Sequence, residues 1–236
     1  MQPTRQRPPQ RRTVSYAQRA GRMTRGQEHA WERNWERLGA DIAELPEGPL
    51  DTATWFGRAA PVVLEIGSGM GESTVRMAGE APEVDLLAVE VYQPGLAQLL
   101  LRAEHAGLTN LRLLRGDALD LLTRHIAPER LHGVRIYFPD PWPKRRHHKR
   151  RLVRPEFVGL VASRLRSGAA LHLATDWEPY AREMLAACTG EPALRNTAGA
   201  GLGGFAPRPH WRPVSKFEQR ALDEGRVVRD LLFTRT

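Results

Sequence analysis

The 236-residue sequence predicts a doubly wound α/β fold with a mostly parallel sheet. Three observations support this prediction. From residue 61 onward short apolar runs alternate with segments of helical periodicity, glycines follow the first apolar run, and acidic residues end several of the others. Strands and helices that alternate in this way are usually joined by right-handed crossovers into a parallel sheet covered by helices on both faces.

The elements can be placed in order along the chain. A helix is predicted over Gly26–Leu38, where Trp31 and Trp35 lie at helical spacing. The apolar runs predict six strands at Val62–Ile66, Leu86–Val91, Leu111–Arg115, Val134–Phe138, Ala169–Ala174 and Val227–Phe233. Four further helices are predicted at Glu72–Ala81, Leu96–Ala106, Pro155–Leu165 and Pro179–Ala187. We therefore expect one domain over residues 26–236, preceded by a basic, flexible tail over residues 1–25.

Positive charge is concentrated in two segments. The chain has 35 lysine and arginine residues against 27 aspartate and glutamate residues, a net charge of +8. Residues 1–26 and 144–154 each hold seven cations and no acid, so the remaining 21 cations face all 27 acids, a balance of −6. Two basic segments on an acidic body favour a polyanionic partner such as nucleic acid. The alternative is that each basic run is only a solvated surface.

Composition also excludes several classes of protein. The only cysteine is Cys188, so the chain cannot form an internal disulfide or a cysteine-rich zinc site. No apolar run approaches the roughly 20 residues needed to span a bilayer. We therefore expect a soluble cytoplasmic protein without a bound metal and, because no large apolar face is evident, a monomer. The arginine-rich N-terminus also resembles an organelle transit peptide, although its prolines argue against an amphipathic helix there.

A glycine loop follows the first predicted strand. Gly67, Gly69 and Gly71 form a G-x-G-x-G segment at the turn into a helix, where glycine lets the backbone approach a ligand closely. The spacing differs from the G-x-G-x-x-G of dinucleotide binders, and the lysine of an ATP-type phosphate loop is absent. The segment predicts a ligand loop, with a purely structural turn as the alternative.

Acidic residues lie at the ends of four successive predicted strands. Glu65 precedes the glycine loop and Glu90 ends the second strand, while Asp117 and Ala118 follow the third and Asp140 follows the fourth. Such acids can accept hydrogen bonds from ribose hydroxyls and an adenine amino group, although each alone is often only a helix cap. An acidic rim suits a ligand with cationic groups, so S-adenosylmethionine fits it better than NAD does.

The fourth strand runs into an aromatic and proline-rich turn and then into the basic run. In the string Phe138–Lys144, an aromatic ring beside an acid could hold a nucleobase by stacking and hydrogen bonding. The alternative is a core tryptophan next to a turn aspartate. Asp176 and Trp177 repeat the pair after the fifth strand. Near the C-terminus, Ser215–Glu218 either returns to the same crevice or is only a helix start.

These strings resemble the bacterial tRNA (guanine-N7-)-methyltransferase family. The resemblance runs from about Arg12 to the end of the chain and is carried by Gly21–Gln27, Leu64–Gly71, Phe138–Lys144 with the basic run after it, Ala174–Trp177, Ser215–Glu218, Gly225 and Asp230–Phe233. It implies a Rossmann-like fold of the class I methyltransferase type with S-adenosylmethionine as the methyl donor. It also implies that the acceptor is the guanine at position 46 in the variable loop of tRNA.

The resemblance further implies roles for individual residues. Asp140 is the catalytic candidate, and the cofactor residues are Glu65, Glu90, Asp117 and Asp140, beside the glycine loop and Ala118. The substrate side takes Lys144, Asp176, Ser215, Lys216, Phe217 and Glu218. From its charge alone, the basic run predicts phosphate contacts by Arg145, Arg146, Arg150 and Arg151. The chain departs from the family pattern where Ser215 replaces the usual threonine and Pro143 replaces the histidine of some members.

A mechanism follows from the acceptor that the resemblance implies. Guanine N7 carries a lone pair and no proton, so its attack on a methyl group needs no general base. We expect Asp140 to stabilise the positive charge that develops on the base, and Asp176 and Glu218 to accept from the guanine N1–H and amino group. Two other classes stay open at this point: an NAD-dependent oxidoreductase on a similar fold, and a non-catalytic RNA-binding protein.

Overall fold

The computed structural model describes residues 15–16, 21–199 and 202–236, which hold one eight-stranded sheet and eight α-helices. The strands are β1 (Gly39–Asp41), β2 (Val62–Ile66), β3 (Asp85–Glu90), β4 (Leu111–Arg115), β5 (Leu131–Tyr137), β6 (Leu165–Thr175), β7 (Leu194–Asn196) and β8 (Arg229–Arg235). The helices are α1 (Arg25–Leu38), α2 (Thr52–Phe56), α3 (Glu72–Glu80), α4 (Gln93–His105), α5 (Ala118–Arg124), α6 (Pro155–Arg164), α7 (Glu178–Thr189) and α8 (Lys216–Asp223).

The sheet is parallel apart from one strand near its edge. Its strand order is β1-β4-β3-β2-β5-β6-β8-β7, and only β8 runs antiparallel to both of its neighbours. The chain moves from β2 through β3 to β4 on one side and then continues at β5 on the other side of β2. Open α/β sheets bind ligands in the crevice that such a reversal creates at the carboxyl ends of the strands. The strand order therefore places a ligand crevice between β2 and β5.

Alternating side chains divide the core into two apolar layers. Leu64 of β2 and Leu87 of β3 pack with α5, α6 and α7 on one face, whereas Val63 and Leu86 pack with α1, α3 and α4 on the other. Successive side chains of a strand point to opposite faces, so a strand covered on both faces is apolar throughout. None of the described helices is both long and apolar enough to cross a lipid bilayer.

The sequence predicts the long elements well and misses the short ones. The predicted bounds of β2 and β4 agree with the structure, and those of β3 differ by one residue at each end. By contrast, β1 and β7 have three residues each, and α2 and α5 have five and seven residues. Such lengths are too short to show a periodic pattern. Strand β6 begins four residues before the predicted start: Leu165 pairs with Leu131, the exposed residues 166–168 interrupt the register, and pairing resumes at Ala170.

The N-terminal part of the domain begins with a capped helix. The Thr24 hydroxyl accepts a hydrogen bond from the Gln27 backbone N–H at 3.4 Å, and the Gln27 amide oxygen accepts from the Thr24 N–H at 2.8 Å. This reciprocal pair starts α1 at Arg25, one residue before the predicted domain boundary. Most of the predicted tail, including Arg5, Arg7, Arg11, Arg12 and Arg19, lies outside the described residues.

Candidate active site

A cavity of about 630 Å³ lies at the carboxyl ends of the central strands. Glu65, Glu90, Asp117 and Asp140 all line it, as do Gly67, Gly69, Gly71 and Ala118. Its volume lies within the roughly 300–1,000 Å³ that is usual for small-molecule sites. The structure therefore brings every residue of the predicted cofactor set to one hollow.

The glycine loop requires glycine for backbone and for packing reasons. Gly69 and Gly71 adopt φ values of +55° and +76°, which disfavour residues with a side chain. A Cβ atom on Gly71 would lie 2.4 Å from a Leu99 methyl carbon, and one on Gly95 would lie 2.5 Å from the Gly69 carbonyl oxygen. The start of α4 therefore packs directly against the loop. A Cβ on Gly69 itself would meet no atom within 4 Å, so this residue faces open space.

Glu90 holds the glycine loop and the chain that follows β3. One carboxylate oxygen accepts from the Gly69 N–H at 3.0 Å, and the other accepts from the N–H groups of Val91 and Tyr92 at 2.7 and 3.0 Å. These three backbone donors position the carboxylate at the rim of the cavity. Glu90 is thus held in place by neutral backbone groups.

Glu65 is the most deeply buried acid of the cavity wall. Its side chain is only 3% exposed, and its Oε2 atom has no hydrogen-bond partner. Removal of this carboxyl group from water raises its pKa to about 7. A buried carboxylate oxygen without a donor is unfavourable, because its hydration is lost and not replaced. A ligand with a cationic N–H group in the cavity would satisfy this atom.

Asp117 both caps a helix and lines the cavity. Its carboxylate accepts a hydrogen bond from the Leu119 N–H at 2.8 Å and so caps the N-terminus of α5. The residue also belongs to the cavity wall. The helix-cap and ligand-binding interpretations of this acid are therefore compatible with each other.

Asp140 is presented by a constrained turn after β5. Phe138 and Trp142, on either side of it, adopt φ values of +50° and +44°, which are rare for residues with a side chain. The Phe138 N–H donates to the Ala174 carbonyl at 2.8 Å, and the Pro141 carbonyl accepts from Arg151 at 2.8 Å. These contacts fix both ends of the turn and hold Asp140 at the cavity wall.

The basic run lies beside this turn, and most of it faces solvent. Arg145–Arg150 form a 3₁₀ helix, in which Arg145 and Arg146 are exposed, as is Lys144 just before it. The Arg150 guanidinium lies 4.9 Å from the centre of the Trp142 ring, and the indole N–H donates to the Ser15 carbonyl at 3.1 Å. Trp142 does not line the cavity, so it is not placed to stack on a base there.

The structure contradicts the predicted phosphate contact of one arginine. Arg151 is 2% exposed, and its guanidinium binds the Pro141 carbonyl and forms an ion pair with Glu183 at 2.5 Å. It also lies 4.8 Å from the centre of the Tyr180 ring. Charge alone did not distinguish this arginine from its exposed neighbours. Arg151 therefore stabilises the turn that carries Asp140, and its buried guanidinium is not accessible to RNA.

Two acids that the sequence assigned to base recognition form ion pairs with arginines. Asp176 forms an ion pair with Arg226, and Glu218 is 2% exposed and accepts two hydrogen bonds from Arg212 at 2.5 and 2.9 Å. Neither carboxylate lines the cavity. Both carboxylates thus lie behind the cavity wall with an arginine bound to each, and their contact with guanine stays a prediction.

The rest of the predicted C-terminal segment does reach the cavity. Ser215, Lys216 and Phe217 line it, and the Ser215 hydroxyl caps α8 by accepting from the Glu218 N–H at 3.1 Å. Phe217 is 53% exposed, with its ring centre 5.2 Å from that of Phe138. These two rings offer an apolar surface at the cavity wall, and exposed aromatic rings of this kind can stack on an unpaired base.

Several cavity residues escaped the sequence analysis. Ser15, Tyr16, Arg102, Tyr137 and Arg212 also line the cavity. They belong to no local motif, and only the approach of distant segments brings them together. Among these five residues, the sequence could have indicated only Tyr137, because it directly precedes the aromatic and proline-rich turn. Among the described residues, no group of three or more histidine, cysteine or acidic side chains is arranged to hold a metal ion.

Comparison with known proteins identifies the family. The family model described as "Putative methyltransferase" matches residues 59–231. A tRNA (guanine-N(7)-)-methyltransferase of Streptomyces avermitilis is 52% identical over 227 residues, which cover 96% of this chain and 76% of that protein. One of Nitrosomonas eutropha is 48% identical over 221 residues, which cover 94% of this chain and 96% of that protein. The chain belongs to the tRNA (guanine-N(7)-)-methyltransferase family.

Solved structures of low sequence identity share the fold of this methyltransferase. The 16S rRNA methyltransferase KamB superimposes with a TM-score of 0.55 at 17% identity, covering 82% of this chain and 97% of that one. TrmN from Thermus thermophilus gives a TM-score of 0.51 at 19% identity, covering 75% of this chain and 45% of that one. These likenesses concern the fold alone, and they confirm the predicted class I methyltransferase architecture.

Family membership also decides between the function classes that the sequence left open. The relatives are methyltransferases at about half identity over nearly the whole chain, so the chain is an enzyme of this class. An NAD-dependent oxidoreductase on a similar fold is not favoured.

Proposed function

We propose that this methyltransferase transfers a methyl group from S-adenosylmethionine to N7 of the guanine at position 46 in the variable loop of tRNA. The observation that carries the proposal is the position of Glu65, Glu90, Asp117 and Asp140 around one cavity, beside an exposed basic 3₁₀ helix. An acidic hollow suits a cationic donor, and a cationic surface next to it suits RNA.

The cavity has the groups needed to hold the methyl donor. S-adenosylmethionine, when bound, supplies an electrophilic methyl group on a positively charged sulfonium. Glu65 offers its unpartnered Oε2 atom to a cationic N–H group, and Glu90 and Asp117 offer carboxylates to hydroxyl and amino donors. The Gly69 backbone faces open space, so a ligand can approach it closely. These features support the donor that the family name implies.

Asp140 has the position of an electrostatic catalyst. Guanine N7 has no proton to lose, so the protein needs no base, and the demand on it is to stabilise positive charge on the purine. Asp140 projects from a constrained turn at the cavity wall, and a preorganised carboxylate there stabilises that charge without reorganising. Phe138 and Phe217 then provide the apolar surface against which the base can be oriented.

The basic 3₁₀ helix Arg145–Arg150 is the candidate binding surface for the tRNA backbone. Lys144, Arg145 and Arg146 are exposed, and Arg150 lies over the Trp142 ring. Exposed lysine and arginine side chains bind the phosphates of a nucleic acid without distinguishing its sequence. A cytoplasmic location and a monomeric state remain predictions from the sequence.

Mass spectrometry of tRNA nucleosides tests the proposal directly. An unmodified tRNA transcript is incubated with the enzyme and S-adenosylmethionine, digested to nucleosides and analysed for 7-methylguanosine. We expect one such nucleoside per tRNA, and none when adenine replaces guanine 46. Binding of tRNA without any methylated product would instead favour a non-catalytic RNA-binding protein, and product from the adenine variant would contradict position 46.

A further inference from the structure

A buried arginine outside every sequence motif joins the two substrate-side segments of the cavity. Arg212 is almost fully buried, and its Nε and Nη2 atoms donate to Asp230 at 2.7 and 2.8 Å. Its Nη1 and Nη2 atoms donate to Glu218 at 2.5 and 2.9 Å. These four bonds use four of the five N–H groups of the guanidinium. One side chain thus holds two carboxylates from different elements, β8 and α8.

The network continues into the centre of the sheet. The Nε2 atom of His172 on β6 lies 2.8 Å from Asp230, and its Nδ1 atom lies 2.8 Å from the Tyr137 hydroxyl on β5. Burial lowers the pKa of His172 and so favours the neutral ring, in which Nε2 donates to the Asp230 carboxylate and Nδ1 accepts a hydrogen bond from the tyrosine hydroxyl. Each side chain of this network is hydrogen-bonded to another member of it, which restricts the movement of all five.

Arg212 also contacts the turn that carries Asp140. Its guanidinium carbon lies 5.7 Å from the ring centre of Tyr137 and 5.9 Å from that of Phe138. Phe138 in turn packs edge-on against Phe217. Arg212 therefore lies between the turn after β5 and the N-terminus of α8, and both of these segments line the cavity.

We propose that Arg212 is a positioning residue for methyl transfer, which fixes the N-terminus of α8 against the Asp140 turn by holding Glu218 and Asp230 together. The proposal rests on the proposed function. It gives Glu218 a structural role as the partner of Arg212. Methyl transfer needs the reacting atoms at about 3–3.5 Å, and a displacement of about 1 Å can slow such a reaction about 100-fold.

The substitution Arg212→Lys tests this role. Lysine keeps the charge but cannot hold two carboxylates through paired hydrogen bonds. With saturating tRNA and S-adenosylmethionine, we expect the single-turnover methyl-transfer rate to fall about 100-fold. The dissociation constant of S-adenosylmethionine should stay within about threefold, because Glu65, Glu90 and Asp117 do not contact Arg212 through any described hydrogen bond.

A buried arginine elsewhere provides the matched control. Arg112 on β4 donates through Nε and Nη2 to the Trp55 carbonyl at 3.1 and 2.9 Å and does not line the cavity. Arg112→Lys should lower the melting temperature and leave the single-turnover rate within about threefold of wild type. If Arg212→Lys loses no more rate than Arg112→Lys, Arg212 has only a structural role and the proposal is wrong.

A double-mutant cycle distinguishes action through Glu218 from direct action on the substrate. Glu218→Gln leaves the Arg212–Asp230 pair in place, so it remains testable even if Arg212→Lys does not fold. We expect Glu218→Gln to lower kcat while KM for tRNA is unchanged, and the double variant to be no slower than Arg212→Lys alone. Rate losses that multiply in the double variant, or a Glu218→Gln effect confined to KM, would overturn the proposal.

The outcomes also separate this inference from the proposed function. A wild-type enzyme that does not methylate tRNA contradicts the proposed function itself. An active wild-type enzyme with an unimpaired Arg212→Lys variant contradicts only the positioning role.

Discussion

Acidic residues lie in or beside both halves of the cavity, but their partners differ between the two halves. On the side of β2, β3 and β4, Glu90 and Asp117 accept hydrogen bonds from backbone N–H groups, and Glu65 has an oxygen without a partner. Within the described part of the chain, none of these three forms an ion pair with a lysine, arginine or histidine.

On the side of β6 and β8, each corresponding acid is neutralised. Asp176 pairs with Arg226, and Arg212 pairs with both Glu218 and Asp230. The comparison teaches that acids at strand ends differ in whether an arginine of the same protein neutralises them, which residue type alone does not show. Acids without an ion pair therefore lie on the side of β2, β3 and β4, whereas arginine-paired acids lie on the side of β6 and β8.

The largest effect is expected where the two halves meet, at Asp140. Replacing Asp140 with alanine should leave the fold and tRNA binding intact and slow methyl transfer by about 100- to 1,000-fold, because a preorganised charge near the developing purinium is lost. Transfer of tritiated methyl groups to tRNA measures the rate. Asp223→Ala is the control, since Asp223 contacts Gln219 on the outer surface of α8. A wild-type rate for Asp140→Ala would remove Asp140 from the mechanism.

The next effect concerns the basic run beside that junction. Changing Arg145, Arg146 and Arg150 together to glutamine should weaken tRNA binding about 100-fold at moderate salt. The slope of log K against log salt concentration should fall by about 2 to 3, since each phosphate contact contributes about 0.7–0.9. Filter binding over a series of salt concentrations gives both values, and an unchanged slope would place the RNA on another surface.

Arg151→Gln is the matched comparison within the same run. Because Arg151 is buried against Pro141 and Glu183, its loss should lower the stability of the turn and leave the salt slope unchanged. A reduced salt slope for Arg151→Gln would show that Arg151 contacts phosphate despite its burial, as its exposed neighbours are expected to do.

The smallest effect is a pH dependence on the donor side. The pKa of Glu65 is raised to about 7 by burial, so the carboxylate that would meet a cationic ligand forms only as pH rises. Between pH 6 and pH 8 we expect S-adenosylmethionine to bind about tenfold more tightly, and Glu65→Gln to remove this dependence. Calorimetric titration at each pH measures it. A Glu80→Gln variant, which changes only a surface pair with Arg76, should behave as wild type.

The same pKa has an opposite consequence for stability. Because burial raises the pKa above its usual value of 4.5, the folded protein holds this proton where the unfolded chain has lost it. The contribution of Glu65 to the free energy of unfolding is therefore full below about pH 4.5 and falls, by at most about 3 kcal/mol, as pH rises through 7. Urea denaturation of Glu65→Gln at pH 5 and pH 8 should show a smaller difference than wild type.

Local patterns were enough to predict the acids and glycines that line the cavity. A glycine loop and acids at strand ends are read from a few consecutive residues, and parallel strands necessarily bring their carboxyl ends to one edge. For this reason Glu65, Glu90, Asp117 and Asp140 were all predicted and all line the cavity. The long strands and helices were predictable for the same reason, since hydrophobic period is a local property.

The charge pairing on the side of β6 and β8 depends on contacts between residues far apart in the chain. Asp176 and Arg226 are 50 positions apart, and His172 and Asp230 are 58 apart. Which of several arginines is buried, and which acid it neutralises, depends on how segments from different strands pack, so no local pattern distinguishes Arg151 from Arg150. Residue types and their periodicity thus specified the fold and the acids and glycines that line the cavity, whereas packing between distant segments decided which charged side chains are buried in ion pairs.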